Sequence, residues 1–162
     1  MKQLNMQIIS AFFMGLCLLM TATVHADDRY GKQKVVYHIK YDDPKTQASA
    51  LGNIQNHINA VGAENLDLKV VLHGNGLSLL LDPDALANLP KFKNANANET
   101  MTAKIDNLKS QGVSFNVCEN TVKGRKVNIE TDLHNVDKKD LVPSGVAELA
   151  RLQGMGYSYI KP

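Results

Sequence analysis

The sequence predicts one α/β domain built on a mainly parallel sheet that is covered on both faces. Short apolar runs rich in β-branched residues alternate along the chain with segments whose apolar residues recur at helical spacing. No internal repeat, low-complexity linker or second apolar core interrupts that alternation, so the pattern belongs to a single unit.

The run Val35-Val36-Tyr37-His38-Ile39 has the character of a buried strand. Asp43 then supplies an N-cap and Pro44 a first helical residue. Leu51, Ile54, Ile58 and Val61 follow at helical spacing, and Gly62 stops the helix. A second strand, Leu66 to Leu72, leads into His73-Gly74-Asn75-Gly76. Leu77 to Leu81 is read as a helix entering the core, broken by Asp82-Pro83. Residues 88–98 have little periodicity and are expected to form a polar connection. Asn98 can cap a helix that carries Met101, Ile105 and Leu108 on one face, with Gly112 beyond its end. Val113 to Cys118 is the third strand, and a short helix runs from about Glu119 to Val127. Residues 128–140 are polar and receive no element. The last helix starts near Pro143-Ser144, carries Val146, Leu149 and Leu152, and stops at Gly154, and Tyr157 to Ile160 closes the chain as a strand.

The first 26 residues are read apart from this fold. Lys2 is a short positive region, Ile8 to Met20 an apolar core, and Val24-His25-Ala26 a cleavage tripeptide. That is a secretory pattern, with an apolar run too short for a comfortable membrane span. An uncleaved anchor is the alternative. A lipoprotein site at Cys17 is disfavoured, because Leu16 precedes it where a small residue is needed. The expected organisation is therefore a signal peptide over 1–26, cleaved after Ala26, and a single domain over 27–162 in a periplasmic or secreted protein. No stable membrane insertion is expected after cleavage.

Loss of Lys2 lowers lysine plus arginine from 18 to 17 while the acids stay at 16, which leaves a net charge of +1. Nothing forms a basic stripe, and aromatic residues make up only 6% with no tryptophan, so nucleic acid is not an expected partner. Cleavage also removes Cys17 and leaves Cys118 as the one cysteine of the mature chain. In an oxidising compartment an unpaired cysteine is an inert buried thiol, an intermolecular bridge or a reactive group.

Ligand crevices in open parallel sheets lie beyond the carboxyl ends of the strands. Leu72 leads there into His73, and Val117 leads into Cys118-Glu119-Asn120-Thr121. A cysteine at a strand end and helix start feels the helix's positive end, which favours the thiolate. Lys123 and Arg125 add positive potential, and Glu119 opposes it. Cys118 shares the parity of Ser114 and Asn116, opposite Val113, Phe115 and Val117, which argues against a purely apolar setting. His73 can orient or deprotonate the thiol. His38 lies near the end of the first strand, His57 reads as structural or solvated, and His134 falls in the unassigned segment. No His, Cys or acidic pair has a diagnostic metal spacing, so neither metal nor cofactor is expected. Gly74-Asn75-Gly76 lacks the pattern of a phosphate loop but permits close backbone approach, to a ligand or within a tight turn. Asp42-Asp43 and Asp82/Asp84 read as caps and turn formers.

The chain resembles the DsrE/DsrF-like family of sulfur-relay proteins over essentially the whole mature region. The resemblance rests on Val70-Val71-Leu72-His73-Gly74-Asn75-Gly76, on Val117-Cys118-Glu119-Asn120-Thr121 with Lys123-Gly124-Arg125, and on Val142-Pro143-Ser144-Gly145-Val146-Ala147-Glu148-Leu149. The tail Gly156-Tyr157-Ser158-Tyr159-Ile160-Lys161-Pro162 is similar to that of exported members. It implies a three-layer α/β sandwich around a parallel sheet, assembled as a homo-oligomer or with related subunits. It also implies a cysteine that accepts sulfane sulfur as a persulfide and passes it on, at the position of Cys118. Relay members are cytoplasmic, so an exported chain departs from their partners.

The expectation is an exported sulfur carrier, sulfurtransferase-like if it turns over, with Cys118 and His73 as catalytic residues. Gly74, Asn75, Gly76, Asn120 and Thr121 are the expected binders of a small sulfur compound. The alternative is a non-catalytic small-ligand-binding or assembly protein of the same fold. A fully exposed thiol would oxidise and a sealed one could not exchange sulfur, so Cys118 is expected partly shielded on a crevice floor, with oligomer packing adding to the shield.

Overall fold

The computed structural model describes residues 29–162; the expected leader, its cleavage site and Cys17 lie outside the described residues. No helix among the described residues is long and apolar enough to cross a membrane.

The elements follow as β1 (Gln33–Ile39), α1 (Pro44–Val61), β2 (Leu66–Leu72), α2 (Glu99–Ser110), β3 (Ser114–Cys118), α3 (Glu119–Arg125), β4 (Leu141–Val142), α4 (Gly145–Gly154) and β5 (Ser158–Ile160). The five strands form one sheet in the order β4-β3-β2-β1-β5. Every pairing is parallel. This is the α/β architecture read from the sequence. Ile39 pairs with Leu72, Leu72 with Val117, and Val117 with Leu141, so four strands end level and the residues just beyond them stand side by side.

Alternation along the strands sends two different surfaces to the two faces. Val35, Tyr37, Ile39, Val70, Leu72, Phe115 and Val117 pack against the apolar stripes of α1 and α2 in the large core. Val36 and Val71 meet Leu149, Leu152 and Tyr157 in a small second cluster under α4. His38, Asn116 and Cys118 share the parity of this second face. Asp43 and Asn98 cap their helices as expected, accepting from the Thr46 and Met101 amides, and α4 starts at the expected place with Ser144 accepting from Ala147.

Three expectations change. The Leu77–Leu81 segment is a 3-10 helix over Gly74–Leu79, not an α-helix. Burial of Leu77, Leu79, Leu80 and Leu81 holds this stretch in place. Leu81 bridges to Leu133, which anchors the unassigned 128–140 segment to the core. The connection over 88–98 is irregular as expected, yet it buries Leu89, Phe92 and Ala97. Val146 is 65% exposed, because the inward positions of α4 are Gly145, Glu148, Leu149 and Leu152.

Gln47 is fully buried and ties the loops to α1: its Nε2 donates to the Tyr41 carbonyl at 2.7 Å, and its Oε1 accepts from Asn96 Nδ2 at 2.7 Å. Gly76 packs on the end of β1 so closely that a Cβ would stand 1.9 Å from the Ile39 carbonyl oxygen. Gly52 in α1 has open space around the same position. Gly76→Ala is therefore expected to cost about 1–3 kcal/mol by overpacking, and Gly52→Ala to gain about 0.5–1 kcal/mol of helix propensity. Urea unfolding midpoints of the two variants should move in opposite directions.

Candidate functional site

The level strand ends bring His73, after β2, beside Cys118, the last residue of β3. Cys118 is also the residue from which α3 starts, and it is 5% exposed. Its sulfur sits where two helices begin. Burial pushes the thiol's pKa up, but the Gly145 amide of α4, the Thr121 hydroxyl and the Thr121 and Asn120 amides of α3 outweigh that and hold it below its ordinary value. Gly145 makes the approach possible. A Cβ there would lie 2.9 Å from Cys118's neighbour His73, at its Cβ, and 3.3 Å from the Cβ of Cys118 itself.

On the other side of His73 stands His38. The two Nε2 atoms are 2.7 Å apart, and His38 Nδ1 lies 2.7 Å from the Tyr159 hydroxyl of β5. Burial, then His73, Lys40 and Lys161, push the His38 pKa down to about 4. Burial and Lys40 also lower that of His73. Both rings are therefore held neutral at pH 7.

The loop after β2 is tied to α3. Gly74 donates its amide to Thr121 Oγ1 at 2.9 Å, and Asn75 Oδ1 accepts from Arg125 Nη2 at 2.7 Å. Arg125 also lies over the Phe92 ring, 4.3 Å from its centroid. Asn120 is exposed at the rim, whereas Gly76 is buried against the end of β1. Lys123 pairs with Glu119 at 2.8 Å along α3. Of the site residues expected from the sequence, the structure thus gathers Cys118, His73, Gly74, Asn120 and Thr121, with Asn75 held at the edge.

The other two described histidines lie elsewhere. His134 pairs with Asp106 of α2 at 2.9 Å, and His57 joins Gln33 and Tyr37 as a structural group. No group of three or more His, Cys, Asp or Glu residues that could hold a metal occurs among the described residues. Sequence reasoning missed the part played by His38, Tyr159 and Gly145. The signal for His38 was a titratable residue inside an otherwise apolar strand. The signals for Tyr159 and Gly145 exist only once the strand order is known.

The DsrE/DsrF-like family matches residues 33–162. A solved structure of a protein of unknown function from Methanobacterium thermoautotrophicum is 27% identical, with 81% of this chain and 100% of that one covered at a TM-score of 0.63. The ychN protein from E. coli is 14% identical, with 82% and 99% covered at a TM-score of 0.49. No curated protein matches this chain.

Two measurements check the electrostatics. The rate of iodoacetamide labelling of native Cys118 should inflect below the value of about 8.5 typical of a free thiol. Thr121→Val, which removes one donor, should raise that inflection. For His38 the folded pKa of about 4 lies below the ordinary 6.5, so the unfolded chain binds the proton first and stability is lost as pH falls through that window. His38→Gln should flatten the fall in urea midpoint between these pH values.

Proposed function

The chain belongs to the DsrE/DsrF-like family, a membership that suggests a sulfur-relay-related role, and we propose that it is an exported sulfur carrier, sulfurtransferase-like when it turns over, which holds sulfane sulfur as a persulfide on Cys118. The observation that carries this reading is the convergence of three backbone amides and the Thr121 hydroxyl on one thiol at the carboxyl edge of the sheet. The thiolate is the form that attacks sulfur, and these donors favour it.

The Cys118 thiolate attacks the outer sulfur of a donor such as thiosulfate. A bond forms between the two sulfurs, the donor's own sulfur–sulfur bond breaks, and its electron pair leaves on sulfite. Cys118 then carries a persulfide anion, which the same amides stabilise. A thiol acceptor attacks the outer sulfur of that persulfide, and Cys118 departs as the thiolate. His73 is the proton acceptor for the resting thiol, being the titratable base beside it. Gly74 and the exposed Asn120 line the approach.

Export rests on the leader pattern of residues 1–26. Assembly with further copies or related subunits is proposed from the family alone.

Incubation with thiosulfate should add the mass of one sulfur atom to the native protein, removable by a reducing thiol, and Cys118→Ser should stay unmodified. No addition to the wild type, or equal addition to Cys118→Ser, would sink the persulfide reading.

A further inference from the structure

We infer that Tyr159, His38 and His73 form one proton path running from the protein surface to the crevice beside Cys118. Its purpose rests on the sulfur-carrier reading, but its existence does not. The hydroxyl of Tyr159, a residue 42% exposed, is 2.7 Å from His38 Nδ1, and His38 Nε2 is 2.7 Å from His73 Nε2. The ring planes are within 23° of one another and the centroids 4.8 Å apart, farther than the nitrogens, so the imidazoles meet edge to edge through a hydrogen bond.

Two neutral imidazoles can share such a bond only when one Nε2 carries the proton and the other accepts it. The tautomers of the two rings are therefore locked together, and that of His38 is locked in turn to the direction of the Tyr159 hydroxyl. His73 Nδ1 is the ring nitrogen left without a protein partner among the described residues. It is not among their buried polar atoms that lack one, so solvent reaches it.

When His73 Nε2 donates to His38, His73 Nδ1 is bare. A proton taken there from the Cys118 thiol, directly or through one water, is matched by three shifts. The Nε2 proton of His73 moves to His38 Nε2, the Nδ1 proton of His38 moves to the Tyr159 oxygen, and the hydroxyl proton of Tyr159 leaves to water. Each ring loses one N–H bond as it gains another, and neither keeps a charge. The net change is one proton moved from thiol to solvent. The reverse shift returns a proton to the crevice.

The site needs such a route because the sulfur is buried among groups that donate. The three amides cannot accept a proton, and a ligand filling the crevice closes the direct way to water. The charged and titratable groups facing the pair are Lys40 at the end of β1, Lys161 after β5, Tyr159 of β5 and Cys118 of β3. The two lysines disfavour a stored imidazolium. A ring held neutral in this way is suited to passing a proton on.

The test compares the wild type with Tyr159→Phe and His38→Gln, and uses His57→Gln as a histidine change off the path. Single-turnover sulfur loading from thiosulfate is followed by intact mass across pH. Tyr159→Phe and His38→Gln should slow loading about tenfold or more below the labelling inflection of Cys118, and match the wild type above it, where the thiolate is already formed. His57→Gln should follow the wild type throughout. Equal slowing at every pH, or none, overturns the path. In parallel, the imidazole nitrogens are read by 15N NMR. Tyr159→Phe should shift the nitrogens of His73, two hydrogen bonds away, and an unmoved His73 overturns the path. If the wild type takes up no sulfur while His73 responds, the sulfur reading fails and the path stands.

Discussion

The close approach of α4 to the sheet at Gly145 is the contact on which the rest of the site depends. The helix begins on top of two neighbouring strand ends, within van der Waals reach of the Cβ atoms of His73 and Cys118. A side chain at this position would lift the first turn of α4 away from the sheet. The amide of Gly145 would then leave the sulfur, and the balance that holds the thiol below its ordinary pKa would shift back toward burial. The same lift would loosen Glu148, one turn further on, which accepts from Asn116 of β3 at 2.9 Å and from Arg151 at 2.7 Å. Hydrogen bonding from Arg151 is the main reason that the Glu148 carboxyl stays ionised although it is nearly buried.

The two layers are thus held by different forces. Between the sheet and the α1–α2 layer lies a continuous apolar core, so that face is stabilised by area removed from water. Under α4 the apolar cluster is small, and polar pairs share the work: Asn116 with Glu148, Lys69 with Asp67 and Ser114, and Tyr157 with Asp67. Polar groups can be buried on this face only because each finds a partner. His38 meets that condition with Tyr159 on one nitrogen and His73 on the other. A face already organised by polar pairing can accommodate a thiol and two imidazoles.

Most of the fold was legible because its signals are local. Asp43, Asn98 and Ser144 cap their helices through their own side chains, and Leu66 to Leu72 is a strand in both the reading and the structure. What escaped was short or non-local. β4 has two residues, too few to carry a period, and its place depends on Val117 and Cys118 offering an edge. The error at Val146 is local in a different sense. An apolar residue near a helix start was assigned to the core, but Gly145 and Glu148, neither of them a hydrophobic signal, occupy the inward positions. For the site, the parity of Cys118 and its place before a helix were visible. Its contact with Gly145 was not, because it follows from β4 lying beside β3, nor was the placement of Tyr159 beside His38, because that follows from β5 lying beside β1.

That strand order also bears on how an unpaired thiol can persist and still react. Large oxidised partners, such as another protein's cysteine, need the sulfur at the surface, and Cys118 is set below it by the first turns of α3 and α4. The loop after β2 is tied to the first turn of α3 by the Gly74–Thr121 hydrogen bond. The protection is therefore steric while the activation is electrostatic, and the two come from the same backbone. The amides of Asn120, Thr121 and Gly145 that cover the sulfur are the ones that favour its anion. Moving either helix outward to expose the thiol would also remove its donors, so access and reactivity cannot be raised together by loosening this site. On the sulfur-carrier proposal, an exchange partner is a small molecule, or one that presents its reacting sulfur on a slender, extended segment.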